Sequence, residues 1–67
     1  MNVYEERQEY ILYFDGGPES YYSDLKEAER DGLKLSSRKD FVGEPVYIYN
    51  RNRARNEMVF ISGKRII

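Results

Sequence analysis

The 67-residue sequence contains no cysteine, no histidine and no tryptophan. Without cysteine the chain cannot form a disulfide, a thiolate nucleophile or a thiolate zinc site. Without histidine it lacks the commonest general base at neutral pH and the commonest transition-metal ligand, which excludes serine triads and zinc hydrolysis. We therefore expect a protein that is not an enzyme, that needs no metal and no cofactor, and whose fold depends on its apolar core.

Strong net charge and long apolar runs are also missing. The 11 basic and 12 acidic side chains leave a formal net charge of −1, so no global field attracts nucleic acid or an anionic membrane. No segment has the ~18 apolar residues of a membrane span, and the acids among residues 1–7 are not typical of a signal peptide. The sequence predicts a cytoplasmic protein with a single small domain over residues 1–67.

The first predicted element is a strand over residues 10–14, a run of β-branched and aromatic side chains. Residues 15–18, Asp-Gly-Gly-Pro, end it in a tight turn. A helical alternative stays open, because Val3, Arg7, Tyr10 and Phe14 are spaced by three and four residues. The glycines of the turn lack the spacing of a P-loop or a dinucleotide fingerprint, so we interpret them as turn residues only.

An amphipathic helix follows this turn. Ser20 or Ser23 can cap its start, and Asp24 supplies a favourable charge in the first turn. Gly32 lies on the apolar stripe, which indicates close packing, although an early C-cap is the competing interpretation. The apolar stripe consists of Leu25, Ala28, Gly32 and Leu35. Asp15, Glu19 and Asp24 lack the spacing of a calcium loop, so we interpret them as solvated acids and a capping charge.

Two further strands are predicted over residues 46–49 and 58–61, and residues 64–67 can return as a short edge strand after a turn at Ser62-Gly63. Before them, Phe41 and Val42 are expected to fold back over the core edge. The predicted fold is a small α+β domain of order β-α-β-β, with the short strand as a possible fourth. One helix packs on one face of a three- to four-stranded, mainly antiparallel sheet.

A single helix covers only one face of such a sheet. Alternation along the strands places Leu12, Val46 and Ile48 beneath the helix and sends Ile11, Tyr13, Tyr47 and Tyr49 to the opposite face. The sequence leaves open which side chains of residues 58–61 point towards the helix. It also leaves open whether residues 1–9 cover the opposite face. Cross-strand tyrosine pairs are also ordinary sheet stabilisers, which is an alternative to a binding role.

The function expected from this surface is a non-catalytic protein-interaction module, either a homodimer or a small regulator or inhibitor of a host protein. In size and element order the layout resembles small virus- or mobile-element-encoded inhibitors of host enzymes, without a diagnostic motif. The alternative is single-stranded nucleic-acid binding by stacking on the tyrosines and by contacts from an arginine loop. The candidate binding residues are Tyr13, Tyr47, Tyr49, Arg51, Arg53 and Arg55.

Overall fold

The structure, a computed structural model, describes residues 8–67. These residues form the strands β1 (Tyr10–Phe14), β2 (Gly17–Tyr22), β3 (Val46–Asn50), β4 (Arg55–Ile61) and β5 (Lys64–Arg65). The helix α1 (Leu25–Ser36) and a 3-10 turn at Lys39–Phe41 lie between β2 and β3. The strands make one antiparallel sheet in the order β2-β1-β3-β4-β5, and α1 packs on one of its faces. None of the helices in residues 8–67 is long and apolar enough to cross a membrane.

The predicted α+β class, with one helix on an antiparallel sheet, is confirmed. The structure adds a strand that the sequence prediction treated as turn and helix entry: residues 17–22 form β2, and only Asp15 and Gly16 make the turn. Gly17 has φ +114°, a backbone conformation that glycine adopts without strain, and Pro18 lies on an edge strand, where a missing N–H is tolerated. The helical alternative is wrong for residues 10–14; Val3 lies outside the described residues.

The N-cap of helix α1 lies one residue after Ser23 and four residues after Ser20, the two predicted caps. Asp24, and neither Ser20 nor Ser23, is the N-cap, and its carboxylate accepts a hydrogen bond from the Lys26 N–H at 3.4 Å. Ser20 is instead part of β2, where it pairs with Leu12. The local sequence predicted a cap of the right type, but the extension of β2 moved the start of the helix.

Gly32 lies against the sheet, as the close-packing interpretation predicted. A Cβ atom at this position would lie 2.7 Å from Cε2 of Phe60, which is closer than real Cβ contacts. The competing interpretation as a C-cap is wrong, because α1 continues to Ser36. The Ser36 hydroxyl then accepts a hydrogen bond from the Gly63 N–H in the β4–β5 turn at 3.0 Å.

The core lies between α1 and the sheet. The register pairs Ile48 with both Leu12 and Met58, and Val46 with Phe60, which fixes the inward phase of β4. Phe41 packs edge-on against Phe14 at 5.0 Å and so covers the core edge as predicted, whereas Val42 is 71% exposed and does not. The buried cluster consists of Leu12, Ala28, Leu35, Val46, Ile48, Met58 and Phe60.

Candidate functional site

The sheet face opposite α1, here called the tyrosine face, is built from cross-strand rows of side chains. Direct pairing forms its first row from Pro18, Tyr13, Tyr47 and Val59. The Ile66 N–H donates to the carbonyl of Val59 at 2.8 Å, which extends this row past β5. The row therefore crosses the whole sheet.

A second row runs beside the first. Its members are Tyr21, Ile11, Tyr49 and Asn56, again in direct register across β2, β1, β3 and β4. The Tyr13 hydroxyl donates to Oδ1 of Asn56 at 2.9 Å and so joins the two rows. Neither row contains a charged side chain. Lys64, opposite Ile61, is a charged side chain in register with this face.

The tyrosine rings pack on one another. Tyr13 and Tyr47 stack with centroids 4.8 Å apart and an interplanar angle of 19°, and Tyr49 meets Tyr13 edge-on at 6.4 Å. This packing leaves the three rings half-buried, and Val59 is only 7% exposed although it lies on this face. The surface is thus less exposed than the sequence suggested, and the explanation by sheet stabilisation stays valid beside a binding role. Residues 1–7, part of the expected cover, lie outside the described residues.

A pocket of about 290 Å³ opens on the tyrosine face near the start of β2. It is lined by Ile11, Tyr13, Gly17, Pro18 and Tyr49. The sequence analysis identified Tyr13 and Tyr49 as binding residues but missed the part contributed by Gly17 and Pro18, because residues 15–18 carry strong turn signals. Pro18 lies directly opposite Tyr13 in the sheet, so the turn residues and the ring cluster become neighbours only through the pairing of β2 with β1.

The turn that carries the arginines is organised by Asn50, which is only 2% exposed. Its Nδ2 donates to carboxylate oxygens of Glu9 at 2.9 Å and of Glu57 at 2.8 Å. Its Oδ1 accepts from the backbone N–H groups of Asn52 at 2.9 Å and Arg53 at 3.1 Å. All four hydrogen-bonding positions of the buried amide are therefore used, and the turn is held to the end of β3.

The predicted arginine cluster does not act as a free cationic patch. Glu57 lies 4.0 Å from the guanidinium of Arg53 and 3.8 Å from that of Arg55. Arg51 donates to the backbone carbonyl of Gln8 at 3.4 Å. A carboxylate shared between two arginines lowers the local positive charge that an anionic ligand would meet.

Arg55 also lies apart from the rings. Arg55 pairs with Asn50, which follows Tyr49 in β3 and therefore faces the helix side of the sheet. The structure brings Tyr13, Tyr47 and Tyr49 together as predicted, and it directs Arg53 and Arg55 towards Glu57. Sequence alternation could not reveal this, because the register of β3 and β4 shifts between Ile48 and Tyr49.

A second cavity, of about 420 Å³, lies between β2 and the later turns of α1. In its lining, the Tyr22 hydroxyl donates to Oδ2 of Asp31 at 2.7 Å. Burial, together with this acceptor, raises the pKa of the Tyr22 hydroxyl above its ordinary value. Arg38, which also lines this cavity, makes a two-point contact with Asp40 at 2.9 and 3.1 Å.

Chemically, the most distinctive feature is a half-buried, uncharged aromatic surface. Residues 8–67 contain no group of three or more His, Cys, Asp or Glu side chains placed to hold a metal ion. Asp24 is used as the cap of α1, which agrees with its interpretation as a capping charge. No protein-family model matches this chain, and comparison with curated proteins and with solved structures likewise gives no match.

Proposed function

We propose that this chain is a non-catalytic protein-interaction module that binds its partner, a second copy or another protein, through the tyrosine face. The observation that carries the proposal is the pair of uncharged cross-strand rows on the side of the sheet that α1 does not cover. Tyrosine combines a stiff apolar ring with a polar tip, so it suits a surface that is wet when free and dry when bound. Regulation or inhibition of the partner follows from such binding.

The free energy available to this surface is modest. Complete burial of a large apolar side chain contributes about 1.5–3 kcal/mol. Ile11, Tyr47 and Tyr49 are already largely buried, so each has at most about a third of that contribution, up to about 1 kcal/mol, left to gain. Three or four such side chains give no more than about 4 kcal/mol, which corresponds to a Kd no tighter than about 1 mM. We therefore expect transient binding.

The nucleic-acid alternative has less support. Stacking on Tyr13, Tyr47 and Tyr49 is geometrically available, but Glu57 partly neutralises Arg53 and Arg55. Three free phosphate contacts would give a log–log salt slope of roughly −2 for single-stranded nucleic acid. A titration with a fluorescent oligo-dT at two salt concentrations measures this slope, and we expect no measurable binding at physiological salt.

Site-specific photo-crosslinking tests the proposed surface and suits weak binding. A photoreactive phenylalanine analogue is placed at Tyr47, or at Val42 as the matched control, since Val42 is 71% exposed and belongs to neither row of the tyrosine face. In extract from the native host we expect discrete crosslinked products from position 47 and not from position 42. Equal crosslinking at both positions, or none at position 47, would contradict the proposal. Light scattering at micromolar concentration separates a second copy from another protein as partner.

A further inference from the structure

Helix α1 covers its own side of the sheet unevenly. Five strands spaced by about 4.8 Å span about 19 Å, whereas a helix with its side chains is about 10–12 Å wide. Contacts hold α1 towards β4 and β5: Gly32 lies against Phe60, and Glu29 pairs with Arg65 at 3.5 Å. The part of the sheet around β2, at the opposite edge, is therefore left open beside the helix.

The cavity of about 420 Å³, here called the edge cavity, lies on this open side. Its volume is within the range of small-molecule sites, about 300–1,000 Å³. Leu12 and Leu35 line it and are 2% and 7% exposed. Tyr22 of β2 and Asp31 of α1 are joined by their 2.7 Å hydrogen bond, which holds the two walls together. An apolar ligand group can therefore pack on the leucines and the Tyr22 ring.

Four charged side chains line the edge cavity, and two of them have partners. The carboxylate of Asp31 accepts from the Tyr22 hydroxyl and lies 3.5 Å from Nε of Arg30. Arg38 makes its two-point contact with Asp40. Both side chains are therefore already engaged within the protein.

The other two charged side chains have opposite signs and come from opposite walls. Glu19 lies on β2 and Lys34 on α1. Within residues 8–67 neither side chain makes a hydrogen bond or an ion pair, with the other or with any third group. A ligand with one charge would leave one of them without a partner, whereas a zwitterion complements both.

We propose that the edge cavity binds a small zwitterion with an apolar side chain, either a free apolar amino acid or a dipeptide. The ammonium group of the ligand pairs with Glu19 and its carboxylate pairs with Lys34. Its apolar side chain packs on Leu12 and Leu35. The two sources differ in the separation of their charges, about 3.5 Å over one residue and about 7 Å over two. This site lies on the helix side of the sheet and is independent of the tyrosine face.

The test is an NMR titration of the ¹⁵N-labelled protein with leucine and with leucyl-leucine, each to millimolar concentration. We expect saturable shift changes at the amides of Leu12, Ser20, Tyr22 and Leu35. Acetylation of the ligand's amine or amidation of its carboxylate removes one charge. Each should weaken binding about two- to fivefold, as expected for an exposed ion pair. Tighter binding of the dipeptide identifies a peptide as the ligand, and tighter binding of leucine identifies an amino acid.

Two substitutions assign the charges to their partners. Glu19→Gln should weaken binding of the zwitterion about two- to fivefold and leave binding of the acetylated ligand unchanged. Lys34→Gln should have the same effect on the zwitterion and leave binding of the amidated ligand unchanged. Both side chains are exposed, so the fold is retained. Lys26→Gln is the matched control, because Lys26 is exposed on α1 and does not line the cavity.

Three results would overturn the inference. Absence of saturable shift changes with both ligands means that the edge cavity does not bind such a zwitterion. Equal affinity for a ligand blocked at both ends means that the cavity is an apolar cleft without charge recognition. Shift changes at Tyr13 and Tyr47, and none at the cavity, would place the ligand on the tyrosine face. None of these results changes the crosslinking expected from position 47, so the function proposed above is tested separately.

Discussion

Replacement of Asn50 by aspartate provides a sharp test of the buried amide that holds the arginine turn. The Asn50→Asp substitution keeps the oxygen that accepts from the backbone of Asn52 and Arg53. It removes the amide hydrogens that bind Glu9 and Glu57 and puts a third carboxyl group beside them. The volume of the side chain hardly changes, so the effect is one of hydrogen bonding and charge.

The cost follows from these contacts. The two hydrogen bonds from the buried Asn50 amide to carboxylates contribute about 1.5 kcal/mol each, or about 3 kcal/mol together. Repulsion between unit charges about 5 Å apart at an effective dielectric constant of about 20 is ~3 kcal/mol per pair, and Arg53 and Arg55 offset part of it. The net loss at neutral pH is expected to lie between about 3 kcal/mol, if the arginines cancel all the repulsion, and about 9 kcal/mol, if they cancel none; the total stability of a chain this size is about 3–10 kcal/mol.

This loss should depend on pH. Burial and two neighbouring carboxylates raise the pKa of the introduced carboxyl in the folded state above its unfolded value of about 3.9. Between these two pKa values the folded protein binds more protons than the unfolded protein, so the stability of the variant increases as pH falls through that window. The protonated carboxyl can also donate one hydrogen bond to Glu9 or Glu57.

Urea unfolding followed by circular dichroism measures the effect. Wild type, Asn50→Asp and Asn50→Ala are compared at pH about 7 and about 5, because the raised pKa of the introduced carboxyl makes its protonation begin above the range of an ordinary aspartate. The deficit of the aspartate variant relative to wild type should shrink by more than about 1 kcal/mol on acidification, whereas that of the alanine variant should stay constant. An aspartate deficit that is equal at both pH values would refute the reasoning.

Three further substitutions test the packing and the turns. Gly32→Ala gains about 1 kcal/mol of helix propensity but forces Cβ to 2.7 Å from the fully buried ring of Phe60; because overpacking costs about 1–3 kcal/mol, chemical denaturation should show a net loss, and a gain would contradict the close contact. Ala54 has φ 53°, so Ala54→Gly should raise stability by about 0.5–1 kcal/mol, and a lower melting temperature would count against this. Tyr22→Phe removes the 2.7 Å hydrogen bond to Asp31 and should cost about 1 kcal/mol. The folded-state pKa of Tyr22 is raised, so the stability that its protonated hydroxyl contributes is lost as pH rises above about 10. The phenylalanine variant lacks this hydroxyl and should therefore lose less stability at alkaline pH than wild type.

The elements with clear periodicity could be predicted from the sequence. Alternation along residues 46–49 placed Val46 and Ile48 beneath the helix and Tyr47 and Tyr49 on the opposite face, and the structure agrees. The spacing of Ala28 and Gly32 identified the buried side of α1. These predictions succeed because the side-chain directions of strands and helices follow from local backbone geometry alone.

The remaining features depend on tertiary contacts. The sequence predicts the end of a turn and the entry to a helix over residues 17–22, and only pairing with β1 makes them a strand, so the pocket beside Pro18 could not be predicted. The outward direction of Val59 depended on the register between β3 and β4. The ion pairs of Glu57 with Arg53 and Arg55 depend on the shift in that register, which no local pattern indicates.

The hydrogen bond between Ser36 and Gly63 couples two distant parts of the chain. The tip of a hairpin normally exchanges its amide protons rapidly, but the Gly63 N–H donates to the hydroxyl of a buried serine at the end of α1, 27 positions away in sequence. On the other side of the same tip, the Ser62 hydroxyl accepts from the Gly43 N–H at 3.1 Å. The C-terminal hairpin thus stabilises the last turn of α1. In a chain truncated after Ile61, we expect that turn to unfold locally.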